Sequence, residues 1–176
     1  MRLFYALTFD TATRKTLSEY RDVVLGQSTQ GHFTPEENFH VTLAFLGSVI
    51  DDRADKLIEL MADTVSIPDM VLIDRYDRFT QPEGDIAWLG VRPEPDLMAL
   101  QTDVQSKLVE IGYRVEHRPF VPHITVGRQL AATDSSLLPF ASPLALPVYS
   151  FALMESRQES NGHVYYTPRH EIYPLG

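Results

Sequence analysis

The chain has no cysteine. It can form no disulfide, offer no thiol nucleophile and build no thiolate metal site. Long apolar runs are missing too, and none approaches the roughly 20 residues of a membrane-spanning helix. Positive charge is in deficit. Fifteen Lys and Arg stand against 24 Asp and Glu, a net charge of -9 and a pI near 5.0. Such a molecule has no general attraction for a long polyanion. If it handles nucleic acid, it touches a short piece through a local positive pocket. The first residues, Met1 to Leu7, meet Asp10 too soon to read as a secretory leader. A cytoplasmic protein without membrane contact is expected.

What is present is an ordinary globular composition, 44% hydrophobic and 22% charged over 176 residues. One domain spanning residues 1–176 is expected from that length. Two short stretches stand out. The first is Asn38-Phe39-His40-Val41-Thr42-Leu43-Ala44-Phe45-Leu46-Gly47. Phe39, Val41 and Leu43 alternate with His40, Thr42 and Ala44, the period of a strand with one buried face. An imidazole and a hydroxyl then project side by side. The second stretch, Phe120-Val121-Pro122-His123-Ile124-Thr125-Val126-Gly127-Arg128, repeats the arrangement. The two strands are expected to face each other across one cleft, with one histidine as acid and the other as base.

The rest of the chain reads as α+β. Strands are expected at 2–9, 70–73, 76–79, 86–91, 113–116, 120–126, 148–154 and 163–166, besides the first His strand. Helices are expected from Asp10 to Gly26, from Asp51 towards Pro68, and from Pro95 to Gly112. The stretches 27–37 and 129–147 read as loops, the second marked by Ser135, Ser136, Pro139, Pro143 and Pro147. Strands and helices do not alternate regularly, so antiparallel sheets fit better than a doubly wound parallel one. The two His strands divide the chain into similar halves, which points to a duplication with a pseudo-two-fold axis.

A His-any-Thr match is cheap. Six His and 13 Thr in 176 residues give about 0.4 matches by chance. A third match, His32-Phe33-Thr34, lacks the flanking alternation and reads as a coincidence. A lone strand histidine is normally a buried residue satisfied by a nearby carbonyl. The shared context of the other two, apolar flanks and a glycine after each Thr, sets them apart. His117, His163 and His170 have no such context and read as structural.

With both motifs in view, the chain resembles the 2H phosphoesterase superfamily, and within it the RNA 2′,3′-cyclic phosphodiesterases, also called 2′-5′ RNA ligases. The likeness runs nearly end to end. Arg2-Leu3-Phe4-Tyr5-Ala6 is similar to the family's opening strand, and Trp88-Leu89-Gly90-Val91 to the strand before its third helix. Leu153-Met154-Glu155-Ser156, with Gly162 and Tyr165, is similar to its closing hairpin. Gly127 departs from the larger residue usual there. The resemblance implies a bilobal fold, two antiparallel sheets with outer helices around a central cleft. It implies hydrolysis of RNA 2′,3′-cyclic phosphate ends to 2′-phosphates, with reverse 2′-5′ ligation. It assigns His40 as general acid to the leaving 3′-oxygen and His123 as general base towards water. The expected partner is a short RNA end; no cofactor and no metal are expected, and a monomer.

The chemistry suits these residues. Histidine offers both protonation states near neutrality. Thr42 and Thr125 can donate to non-bridging phosphate oxygens. Arg128 would lie on the wrong face of a regular strand, but Gly127 allows a bulge that re-aims it at the phosphate. No Asp or Glu stands at metal-ligand spacing in either motif. Phe4, Tyr5, Phe33, Trp88 and Tyr113 are aromatic candidates for stacking a base, and each reads more simply as core. Two other functions fit the sequence: a phosphodiesterase for small cyclic nucleotides, and a non-catalytic module binding AMP-type nucleotides.

Overall fold

The computed structural model describes residues 1–26, 30–64, 66–131 and 139–175. Its order is β1 (Arg2–Thr8), α1 (Thr11–Leu25), β2 (His32–Phe33), β3 (His40–Ser48), α2 (Asp51–Leu60), β4 (Met70–Phe79), β5 (Asp85–Val91), α3 (Pro95–Glu110), β6 (His123–Leu130), β7 (Pro139–Pro147), β8 (Ser150–Gln158) and β9 (Val164–Ile172). The strands form two antiparallel sheets. One has the order β3-β1-β8-β9, the other β2-β6-β5-β4-β7. Each His strand lies in a different sheet, and β3 and β6 meet across the space between them.

The helices cross over. Helix α1 follows a strand of the first sheet but packs on the second, where the Tyr76 hydroxyl donates to the Tyr20 carbonyl at 3.1 Å. Helix α3 follows a strand of the second sheet but packs on the first, and Gln101 reaches the Leu43 carbonyl at 3.5 Å. This exchange gives the two lobes their approximate two-fold relation. It also makes one connected apolar core, in which Leu3, Tyr5, Leu7, Val41 and Leu43 of the first sheet join Ala87, Leu89, Ile124 and Val126 of the second. Burying each large side chain removes it from water at a gain of roughly 1.5–3 kcal/mol. Helix α1 starts where expected, with the Asp10 side chain accepting from the Thr13 N–H at 2.8 Å.

The structure departs from expectation at several elements. Tyr113 to Glu116 is not a strand, and β6 begins only at His123 and runs on to Leu130. Helix α2 ends at Leu60, well before Pro68. The stretch 27–37 contains the short strand β2 and the start of a 3₁₀ turn at Glu36–Asn38, while residues 27–29 lie outside the described residues. The stretch 129–147 contains β7, while Ser135 and Ser136 lie outside the described residues. Prolines argue against a central strand because they remove ladder donors. Among the described residues β7 is an edge strand paired only with β4, where a missing N–H can face the open side. The two extended pieces at 70–73 and 76–79 are one strand, β4, with an irregularity between Ile73 and Arg75.

Candidate active site

The alternation in β3 sends Val41 and Leu43 into the core and leaves His40 and Thr42 half-buried on the cleft side. In β6, Ile124 and Val126 are buried while His123 and Thr125 face the cleft. One pocket of about 140 Å³ is lined by His40, Thr42, His123, Thr125 and Arg128 together. All five residues singled out in the sequence thus meet in one place, the third His-any-Thr match excluded. His32 and Phe33 instead pair with Arg128 and Gly127 as β2, beside the second motif.

Arg128 reaches the pocket by a bulge. Trp88 pairs with Thr125, but Ala87 pairs with Gly127, so Val126 is an extra residue in the ladder. Val126 and Gly127 are both buried, and the parity flips. A second irregularity follows, where Gln129 takes φ 54. β3 does the same thing. Ala6 pairs with Thr42 and Tyr5 with Ala44, so Leu43 is the extra residue. Ala44 then packs against the core and Phe45 swings into the cleft. The third residue after each motif threonine, Phe45 and Arg128, therefore lines the same pocket. Sequence reasoning found Arg128 and missed Phe45, although the same count from Thr42 lands on it.

Each histidine is held at the same ring nitrogen. Nδ1 of His40 donates to the Asn38 carbonyl at 2.7 Å, and Nδ1 of His123 donates to the Val121 carbonyl at 2.8 Å. A carbonyl only accepts, so Nδ1 carries the proton and Nε2 is left for chemistry. The Thr42 hydroxyl lies 2.9 Å from His40 Nε2 and donates to it. Aromatic rings brace both imidazoles. Phe4 and Tyr166 lie 5.0 and 5.1 Å from His40, and Phe79 and Trp88 each lie 5.3 Å from His123. Of the aromatic candidates, Phe4 lines the pocket, while Tyr5 is core, its hydroxyl donating to the Leu57 carbonyl. Tyr113 lies under Arg53.

Burial lowers the pKa of His40 to about 4, against a raising effect of the bond to Asn38; His123 and Arg128 lower it further. His123 is lowered too, first by burial and then by Arg128, with its bond to Val121 opposing. Both are neutral at pH 7 in the free protein. A bound phosphate anion opposes these effects, because an anion beside an imidazolium favours the charged form. The site thus holds two neutral imidazoles that an anionic ligand can charge. Among the described residues no group of three or more His, Cys, Asp or Glu is placed to hold a metal ion. No described helix is long and apolar enough to cross a membrane.

Two sheets that each offer a His-any-Thr strand to one cleft define a two-histidine phosphoesterase fold. Comparison with known proteins gives the family. Residues 9–159 match the 2′-5′ RNA ligase superfamily, and the chain belongs to it. It is 31% identical to the RNA 2′,3′-cyclic phosphodiesterase of Archaeoglobus fulgidus over 129 residues, 73% of this chain and 72% of that one. It is 30% identical to the enzyme of the same name from Escherichia coli K12 over 176 residues, 95% of this chain and 93% of that one. The solved structure of E. coli LigT complexed with 3′-AMP superposes with a TM-score of 0.79 at 26% identity, covering 99% of this chain and 98% of that one. TT0787 of Thermus thermophilus shares the fold, with a TM-score of 0.82 at 23% identity and the same coverage.

Proposed function

We propose that the protein opens the 2′,3′-cyclic phosphate at RNA ends to leave a 2′-phosphate. The observation that carries this reading is the matched pair of imidazoles, His40 and His123, each with Nδ1 tied to a carbonyl and both facing one pocket. A single histidine could be structural. Two with the same tether, on opposite walls, are suited to in-line displacement at phosphorus. A cyclic phosphate needs no nucleophile from the protein, since water can open the ring.

His123 Nε2 takes a proton from water as the oxygen attacks phosphorus. His40 Nε2 gives a proton to the departing 3′-oxygen on the other side. His40 takes its proton for this step from solvent, and the bound phosphate anion stabilises the imidazolium. Once Nε2 is protonated, it no longer accepts from Thr42. The Thr42 hydroxyl is then free to turn to a non-bridging oxygen, as Thr125 does from the other wall. Arg128 adds a full positive charge where the equatorial oxygens gain negative charge. With a 5′-hydroxyl in place of water the same attack joins two RNA ends, His123 taking the hydroxyl proton and His40 protonating the departing 3′-oxygen; the two groups exchange roles when that 2′-5′ linkage is opened back to the cyclic phosphate. The proton transfers require no metal and no cofactor, and one chain, as a single two-lobed domain, supplies every group.

The reading is tested with a short RNA bearing a 2′,3′-cyclic phosphate, incubated in excess EDTA, with the product phosphate located. A 2′-phosphate formed at an undiminished rate is expected. No turnover, or dependence on added metal, would overturn the mechanism.

A further inference from the structure

The catalytic pocket, about 140 Å³, is too small for a nucleotide; pockets that enclose ligands of that size run roughly 300–1,000 Å³. A second groove of about 700 Å³ adjoins it, and Arg128 lines both. The groove lies between the lobes. One wall is the β2 region and the 3₁₀ turn, with His32, Phe33 and Asn38. The β4–β5 turn, with Glu83 and Gly84, and the β8–β9 turn, with His163, complete the lining.

Two observations mark this groove as built. Gln129, which lines it, is the one non-glycine residue at positive φ among the described residues. It is pinned by Gly84, where a β-carbon would come within 2.7 Å of the Gln129 carbonyl carbon. Backbone held in a sparsely populated region clusters at functional sites. Asn38 is buried, donates through Nδ2 to the Val164 carbonyl at 2.8 Å, and has its Oδ1 buried with no partner among the described residues. The same residue's main-chain carbonyl holds His40. The groove wall and the catalytic histidine thus share one anchor.

We propose that this groove is the subsite for the nucleotide on the 5′ side of the one that carries the cyclic phosphate. The inference rests on the phosphodiesterase reading above and adds a preferred substrate class, oligonucleotides over mononucleotides. The charge distribution supports a nucleoside here. Arg128, which faces the cyclic phosphate in the catalytic pocket, also lines the groove, so a strand that leaves the pocket on that side runs along it. Beyond it the groove offers two histidines, an aromatic ring and the carboxylate of Glu83, with Glu37 3.8 Å from His163 Nε2. That lining suits a base and ribose hydroxyls and repels a second bare phosphate. The side chain of Phe33 offers an apolar surface to a base.

The test compares kcat/KM for a mononucleoside 2′,3′-cyclic phosphate with that for a dinucleotide ending in the same group. In the wild type the dinucleotide is expected to be preferred by roughly 10-fold or more, the scale of one stacked base. Glu83→Trp narrows the groove from an exposed turn, and His163→Ala removes one wall. Each is expected to bring the ratio close to unity while the mononucleotide rate stays within about 3-fold of wild type. The mononucleotide rate in the same variant reports that the fold and the catalytic pair are intact. No preference in the wild type overturns the subsite. So does an unchanged ratio in both variants, or an equal loss on both substrates, which would place the terminal nucleoside in the groove. If the wild type hydrolyses neither substrate, the phosphodiesterase reading itself fails.

Discussion

His40 and His123 are tethered alike, Nδ1 of each donating to the carbonyl of the residue two positions earlier, at 2.7 and 2.8 Å. The equivalence extends further along each strand. A threonine follows at the second position, an extra residue enters the ladder, and the third residue after the threonine returns to the cleft. The two halves differ at that last position, which is Phe45 in one and Arg128 in the other. Symmetric tethers suit a reaction that runs in either direction, because acid and base exchange roles on reversal. The asymmetric pair gives the pocket two chemically different sides. Phe45, 71% exposed, offers a wide apolar surface, and Arg128 offers charge.

The first prediction follows from the division of labour between the imidazoles. His40→Ala and His123→Ala are each expected to lower kcat by around 10²–10⁴-fold, the usual worth of a positioned proton-transfer group. Both side chains face the pocket, so the thermal unfolding midpoint near pH 7 is expected to move little. The double variant is expected to be no more than about 10-fold worse than the worse single one, since the pair acts as a unit. Near-wild-type turnover in either single variant would eliminate the two-histidine mechanism.

The pH profile gives a second prediction. kcat/KM reports the free enzyme, where one imidazole must be charged and the other neutral. His40 is lowered to about 4 and His123 is lowered as well, chiefly by burial. Both limbs of the bell therefore lie below the ordinary histidine value of about 6.5. kcat/KM is expected to fall about 10-fold per pH unit above about 7. The limb in kcat alone is expected at higher pH, because bound phosphate favours the imidazolium. A kcat/KM that is flat between about pH 6 and 9 would contradict the lowered values.

Much of this site was legible in the sequence, and for a definite reason. Strand alternation has a period of two, so His40 and Thr42 had to share a face, as did His123 and Thr125. The parity argument also placed Arg128 on the wrong face unless the strand bulged at Gly127, and the ladder is irregular there. What the sequence concealed depends on pairing between distant segments. β7 looks like a loop because three prolines mark it, and only its edge position makes a strand of it. The 113–116 stretch looks like a strand, yet it lies between a helix and β6 and joins neither sheet. His163 carries no local signal; it enters the groove because β9 docks beside Asn38.

Arg128 supplies a third prediction. It lowers the pKa of both histidines and lines the pocket with them. Arg128→Ala is expected to reduce kcat/KM by roughly 10–10³-fold through lost transition-state charge stabilisation. It is also expected to shift the alkaline limb of kcat/KM upward, since a like charge has been removed from beside the imidazoles. Thr42→Ala and Thr125→Ala are each expected to cost about as much in rate, Thr125→Ala without that shift and Thr42→Ala with a smaller one in the same direction, since it removes the donor that favours neutral His40. A profile for Arg128→Ala superimposable on the wild type would place the guanidinium away from the reacting groups.

Folding stability carries the last prediction, and its sign follows from linkage. The folded-state pKa of His40 lies below its unfolded value of 6.5, at about 4. As pH falls through 6.5 the unfolded chain takes up the proton first, so the folded state loses ground. The loss grows until about pH 4, where the folded protein is protonated too, and then stops. At 1.36 kcal/mol per unit, a shift of this size is worth at most about 3 kcal/mol. His123 contributes in the same direction. His40→Gln keeps a neutral polar side chain without the titration. Its urea midpoint is expected to fall less between about pH 7 and 4.5 than that of the wild type, by an amount equivalent to about 2 kcal/mol. Parallel losses in the two proteins would mean that His40 is not held neutral by the fold, and the acidic position of the kcat/KM bell would lose its physical basis.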